Sequence, residues 1–279
     1  MNLRAIKKVA IIGVGLMGGS FALALKGKIP TAAIVGYARS KKTFHRLKAL
    51  GILDAVERDL AALLSGADLI VLALPVSLIV GYLARIGPML KPGALVIDLG
   101  STKNLVEKTA KCLPRTVHFV GCHPLCGSEK SGAAASRKDL YRDAVCLITT
   151  PASRPASKVI ARLWRMLGCR VAFISALKHD RILSAISHLP HIISFALTKS
   201  IPTAYGSVSV PSLKDLTRIA GSPANIWTDI FISNAQNILA DIDNFMAVLS
   251  DLRAAIVNRN TRVLTRIIAQ ANKKHSSFL

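Results

Sequence analysis

Up to about residue 175, apolar residues fall in short continuous runs separated by amphipathic stretches. Runs at 9–12, 33–37, 69–74 and 95–98 are rich in Val, Ile and Leu, the pattern of strands buried on both faces. Residues 18–25, 41–50, 76–90 and 103–112 carry the longer spacing of helices between them. Gly51 ends the second of these helices, and Lys91-Pro92-Gly93 forms a turn after the third. Further strands are expected at 118–121, 145–149 and 170–174, with a helix at 157–167. This alternation predicts an α/β fold with a doubly wound, Rossmann-type parallel sheet.

Beyond residue 175 the strand signals stop. Residues 177–200, 212–220 and 226–279 are helical in period, interrupted by Pro202, by the stretch 205–211 and by Ser222-Pro223. Ile238, Ile242, Phe245, Leu249, Leu252 and Ile256 recur every three or four residues, one apolar face of a long helix. The expected organisation is a dinucleotide-binding domain over 1–175 and an all-α domain over 176–279. The second domain is expected to carry substrate contacts and a homodimer interface.

Composition narrows the function classes. The 279 residues are 51% hydrophobic and 19% charged, which excludes a mostly disordered chain. Mean hydropathy is high, +0.43. Yet the longest apolar run, 69–84, is broken by Pro75 and falls short of the roughly 20 residues a spanning helix needs. The apolar N-terminal stretch imitates a signal peptide, but a glycine-patterned loop interrupts it. No membrane partner is expected. Lys and Arg outnumber Asp and Glu 37 to 15, giving a net charge of +22 and a field that attracts anions. The charge is spread along the chain and aromatics are only 5%, so a stacking platform for nucleic acid is not expected. Five cysteines with no framework spacing fit a reducing, cytoplasmic setting.

Gly13-Val14-Gly15-Leu16-Met17-Gly18 is a G-x-G-x-x-G loop between a strand and a helix. The first glycine permits a tight turn, the second a close approach of backbone to pyrophosphate, and the third close packing of helix on strand. Gly18 opens the helix whose N-terminus would meet the anion. An NAD-specific site places Asp or Glu about 20 residues on, and that position is Ala38. Arg39, Ser40, Lys41 and Lys42 follow, side chains that suit a 2′-phosphate. NADP is therefore the expected cofactor, with NAD as the other admissible one.

Four further segments gather polar groups in apolar surroundings: 98–103, 121–132, 187–191 and 214–218. The first two end strands, where ligands of parallel sheets bind. Asp98 reads as a strand-end residue supporting its loop. Cys122, His123 and Cys126 could hold a metal, but no second cysteine pair completes a zinc set, and no metal is expected. Arg218 could pair with Asp215, and His188 could be a satisfied core histidine.

At these residues the sequence resembles the prephenate/arogenate dehydrogenase family. The glycine loop, Leu72-Ala-Leu-Pro75-Val76, Gly100-Ser101-Thr-Lys103, His123-Pro with Gly127-Ser128-Glu129-Lys130-Ser-Gly132, Ser187-His188-Leu-Pro-His191 and Asp215-Leu-Thr-Arg218-Ile-Ala220 run in family order over nearly the whole chain. The resemblance implies oxidation of a cyclohexadienol dicarboxylate with loss of CO2 and hydride transfer to NAD(P), in tyrosine biosynthesis. It implies His123 as the base and Ser101 as its partner at the substrate hydroxyl and beside the cofactor. Arg218 would bind a substrate carboxylate, and His191 would contact the substrate. His188 would do so or support it, Ser128 and Glu129 would also bind substrate, and Glu129 and Lys130 would shape or gate the entrance. Gly13, Gly15, Leu16, Met17, Gly18, Arg39, Ser40, Pro75 and Ser101 would hold the cofactor. No fused mutase or amino-acid-sensing domain is expected. The competing readings are another two-domain NADP-dependent dehydrogenase or reductase, and a non-catalytic dinucleotide-binding sensor.

Overall fold

The computed structural model describes residues 3–127, 130–208 and 210–277. The sheet domain runs β1 (Lys8–Ile12), α1 (Leu16–Leu25), β2 (Ala33–Tyr37), α2 (Lys41–Leu50), β3 (Ala55–Glu57), α3 (Leu60–Leu64), β4 (Leu69–Leu72) and α4 (Val76–Ile86). It continues with β5 (Leu95–Asp98), α5 (Asn104–Ala110), β6 (His118–Leu125), β7 (Val145–Ile148), α6 (Pro155–Met166) and β8 (Arg170–Phe173). The strands form one sheet in the order β3-β2-β1-β4-β5-β6-β7-β8. The chain reverses direction across the sheet between β1 and β4, the switch point where ligands of such sheets bind.

Two features depart from the sequence reading. The strand expected at 118–121 continues to Leu125 and changes partner on the way. It runs parallel to β5 as far as Gly121, then antiparallel to β7 from Cys122 to Leu125. The sheet is therefore mixed at this edge, with β7 antiparallel to β6 and parallel to β8. Pro124 hid the extension, because a proline lacks the amide that a ladder uses. The short β3 and α3 were also not anticipated. Asp59 starts α3 by accepting the amides of Ala61 (3.1 Å) and Ala62 (3.3 Å).

Apolar clusters fill both faces of the sheet. On one face Trp164 packs edge-on to Phe21 (5.5 Å between centroids) and Tyr141 (5.2 Å). The Tyr141 hydroxyl donates to the Met17 carbonyl oxygen at 2.6 Å, which ties the start of α1 to the far side of the core. On the other face Leu63, Ile79, Leu83 and Val106 are fully buried, each stabilising the fold by roughly 1.5–3 kcal/mol.

The helical part comprises α7 (Ala176–Leu183), a π turn (Ser184–His188), α8 (Leu189–Ser200), α9 (Pro211–Thr217), α10 (Ala224–Ser233), α11 (Ala235–Val257) and α12 (Thr261–His275). Short 3₁₀ turns lie at Thr203–Val208 and Arg218–Gly221. The helical stretch expected over 226–279 is thus three helices. It breaks at Asn234, whose backbone leaves the helical region, and around Arg259, whose φ is +50°. Asp229 of α10 accepts the Ser77 amide at the start of α4 (3.1 Å), one point where the helical part grips the sheet domain. Among the described residues no helix is long and apolar enough to cross a membrane.

At the end of β5 the core holds charge. Asp98 and Lys103 are fully buried and ion-paired. Asp98 also accepts the Gly100 amide (2.9 Å) and the Cys122 amide (3.4 Å), while Lys103 Nζ donates to the Cys122 carbonyl oxygen (2.8 Å). The pair therefore clamps β6 to the loop after β5. Removing one partner strands the other charge in the core, which costs about 3–5 kcal/mol. Urea denaturation of Lys103→Met should show that loss, and Asp98→Asn in the same chain should recover part of it. A loss under about 1 kcal/mol would mean the pair carries little.

Candidate active site

The glycine loop is built as its pattern requires. Gly13 has φ +97°, and a Cβ there would meet the Ala73 carbonyl oxygen at 2.2 Å. Gly18 lies against the Gly13 carbonyl oxygen, also at 2.2 Å from a built Cβ. Gly15 differs: nothing lies within 4 Å of its Cβ position. It caps α1 without a side-chain hydrogen bond, and the first turn holds no acidic residue. Free first-turn amides beside open space suit a pyrophosphate. Leu16 and Met17 are half-buried in that turn, and Pro75 opens α4 beside it. After β2, Ala38 is buried and Arg39 is exposed. The Ser40 hydroxyl accepts the Thr43 amide (3.1 Å) and caps α2. No carboxylate occupies 38–42. These residues fit a nicotinamide dinucleotide.

The loop after β5 presents half-buried Ser101. Its neighbour Thr102 is buried and donates to Ser233 of α10 (3.0 Å). His123 sits on the antiparallel half of β6. Its Nδ1 lies 2.9 Å from His179 Nε2, and His179 Nδ1 lies 2.8 Å from Asp180 Oδ1. The same carboxylate accepts the Lys103 amide (2.8 Å) and the Asn104 amide (2.9 Å). Burial is the largest cause holding His123 well below its ordinary value of 6.5, and His179, Lys103 and His188 add to it. His179 and Asp180 were not singled out in the sequence. They lie in α7 after its cap Ser175, and in sequence look like the polar face of any exposed helix.

The 187–191 segment owes its shape to the π turn, a feature frequent at functional sites. His191 Nδ1–H donates to the Ser187 carbonyl oxygen (2.9 Å), and its ring stacks on Trp227 (3.4 Å between centroids, 22° between planes). Trp227 was not anticipated either; a half-buried tryptophan in an apolar helix gives no signal in sequence. His188 is buried and its Nδ1 accepts from Asn234 Nδ2 (3.1 Å). Burial pushes it down to about 4; Asp180 and Asp241 oppose the shift, and His179 and His191 add to it. His188 is therefore an interior residue held by Asn234. Arg218 follows α9, is exposed, and forms no ion pair among the described residues, Asp215 included. It stands close enough to His191 to lower that imidazole, after burial. Ser128 and Glu129 lie outside the described residues. Among the described residues no group of three His, Cys, Asp or Glu is placed to hold a metal.

The arrangement pairs a dinucleotide cradle with an imidazole kept neutral by its surroundings. Residues 21–173 match the family model of the prephenate dehydrogenase nucleotide-binding domain, and 175–270 match that of the prephenate dehydrogenase dimerization domain. The chain is 35% identical to a cyclohexadienyl dehydrogenase of Zymomonas mobilis, covering 96% of this chain and 94% of that one. It superposes on a prephenate dehydrogenase from A. aeolicus in complex with hydroxyphenyl propionate and NAD+, with TM-score 0.85, 30% identity and 99% coverage of both chains. Synechocystis arogenate dehydrogenase gives TM-score 0.80 and 25% identity over 98% of this chain and 100% of that one.

Two of the loop's three glycines should separate stability from binding. Gly13→Ala combines a positive φ with a backbone clash and should lose more than the ~1–3 kcal/mol of backbone strain alone. Gly15→Ala should keep the thermal midpoint and weaken dinucleotide affinity, measured by calorimetry. Equal stability losses in both variants would contradict this division.

Proposed function

The chain belongs to the prephenate dehydrogenase family, and on that premise we propose how its residues share the work. It is an NAD(P)-dependent oxidoreductase that oxidatively decarboxylates prephenate or arogenate in tyrosine biosynthesis. The observation that carries the assignment of roles is His123, a neutral imidazole at the carboxyl edge of a dinucleotide-binding sheet. His123 takes the proton of the ring hydroxyl. Ser101, on the adjacent loop, holds that hydroxyl in line. Arg218 binds a substrate carboxylate with its two-pronged guanidinium. His191, braced by Ser187 and Trp227, contacts the substrate, and His188 supports it from behind. A nicotinamide held over Gly13, Gly15, Leu16, Met17, Gly18, Pro75 and Ser101 supplies the hydride acceptor. As the ring carboxylate departs as CO2 the ring becomes aromatic, so the protein need only orient the anion and accept one proton.

NADP is the preferred cofactor in this reading. Arg39 and the lysines after it are available to a 2′-phosphate, and nothing acidic at 38–42 would bond a ribose hydroxyl. The working unit is a homodimer joined through the helical part. Met246, Leu249, Ile256 and Val257 of α11 are each more than half exposed in the single chain, an apolar surface that a second copy would cover.

Two measurements test these assignments. His123→Asn should lower kcat by about 10²–10⁴-fold with a measurable KM; near-normal turnover would reject the base. In the native enzyme protonation of His123 abolishes activity. Because its pKa is lowered, the acid limb of kcat/KM should lie below pH 6.5, with a flat profile through neutrality. A limb above that value would contradict the assignment. Separately, initial rates with prephenate and arogenate, each paired with NAD and NADP, should be highest with NADP. Arg39→Ala should narrow the gap. NAD ahead by tenfold would reject the preference, and silence in all four pairings of a folded protein would reject the catalytic roles.

A further inference from the structure

The hydrogen-bond directions behind His123 are fixed by groups that cannot reverse. Asp180 accepts backbone amides on both oxygens, from Lys103 at Oδ1 and from Asn104 at Oδ2. It is the acceptor in every contact it makes through its side chain. His179 therefore donates from Nδ1 to Asp180, and in the neutral ring its Nε2 carries the lone pair. That lone pair faces His123 Nδ1 at 2.9 Å, so His123 must donate there. The lone pair of His123 is left on Nε2. We propose that His179, oriented by Asp180, is a positioning residue that selects the Nε2-unprotonated tautomer of His123 and holds its ring in place. The inference rests on His123 being the base.

The relay is shielded from bulk solvent: His179 is fully buried and Asp180 nearly so. The charged and titratable groups around it are Lys103 at the N-cap of α5, Asp98 on β5, His188 in the π turn and Asp180 on α7. None of them offers Nδ1 of His123 another acceptor at hydrogen-bond distance. During turnover the hydroxyl proton moves to Nε2. The cation so formed keeps its Nδ1–H on His179, whose own Nδ1–H stays on the carboxylate. No other bond is made or broken in the relay.

Nitrogen-15 spectra of the histidine side chains read the tautomer directly. The native protein should show His123 protonated at Nδ1 and unprotonated at Nε2. A resonance pattern with Nε2 protonated in the neutral ring would overturn the proposal, with no variant needed. In kinetics, His179→Leu should lower kcat about 10–100-fold, as loss of a group orienting a reactive histidine commonly does, with KM for substrate and cofactor within twofold. His179→Gln, whose side-chain oxygen can accept from Nδ1–H, should recover most of kcat. Native kcat in His179→Leu would overturn the proposal, as would Gln behaving like Leu. Parallel assay of His123→Asn separates the failures. If that variant turns over normally, the base assignment falls; if it is inactive while His179→Leu is native, only the positioning role falls.

Discussion

The Asp180 carboxylate is the constraint on which the arrangement of the two halves depends. A buried carboxylate must be satisfied by donors. Here those donors come from the first turn of α5, which belongs to the sheet domain, and from His179 on its own helix. The α5 amides are unpaired by helix geometry and need an acceptor in turn. Each side therefore supplies what the other lacks, and sliding α7 along α5 would orphan several groups at once. The Asp180 backbone carbonyl extends the link by accepting Asn234 at 2.8 Å, and Asn234 also donates to His188. Three histidines consequently take their positions from one docking event.

The charge balance beside His123 follows from a second buried group. Lys103 is near enough to hold the Cys122 carbonyl, the residue just before His123, and its positive charge disfavours a proton on the imidazole. A bare ammonium in that core would be untenable, and Asp98 balances it. Burial raises the Asp98 carboxyl, while Lys103 and the Gly100 and Cys122 amides pull it down. The outcome is a local arrangement that discourages protonation of the base without leaving an uncompensated charge. A weaker base is the cost, but one that stays unprotonated near neutrality.

How much of this was legible in sequence varies with the kind of residue. The glycine loop could be read because Gly13 and Gly18 are sterically forced, so their identities state their geometry. His123 stood out because a strand end of an α/β sheet is where ligands go. Asp98 and Lys103 lie five apart, and nothing in that spacing says that both are buried; only the fold reveals it. His179 and Asp180 were hidden for the opposite reason, since adjacent polar residues in a short serine-capped helix read as its solvent face. Trp227 and His191 meet only because α8 and α10 pack together, a long-range fact that no local pattern encodes. The antiparallel turn of β6 was masked by Pro124, and the division of the last helical stretch by breaks at Asn234 and Arg259 that carry no proline.

Helix α11 joins the site to the surface. One face of its first turns is buried, with Ile238 3% and Asp241 6% exposed, and Asp241 receives Arg181 of α7 at 2.8 Å. Its later turns leave Leu249 and Ile256 more than half exposed. A single amphipathic stripe thus has two occupants: the chain's own π turn and α7 cover its start, and the second copy of the proposed homodimer would cover its end. Asn234, immediately before α11, holds both His188 and the Asp180 carbonyl. A rigid helix that is seated at one end by a partner and abuts these groups at the other limits how far the histidine wall can relax. In such an assembly subunit contact and the geometry of the base share one structural element, and the stability of one supports the precision of the other.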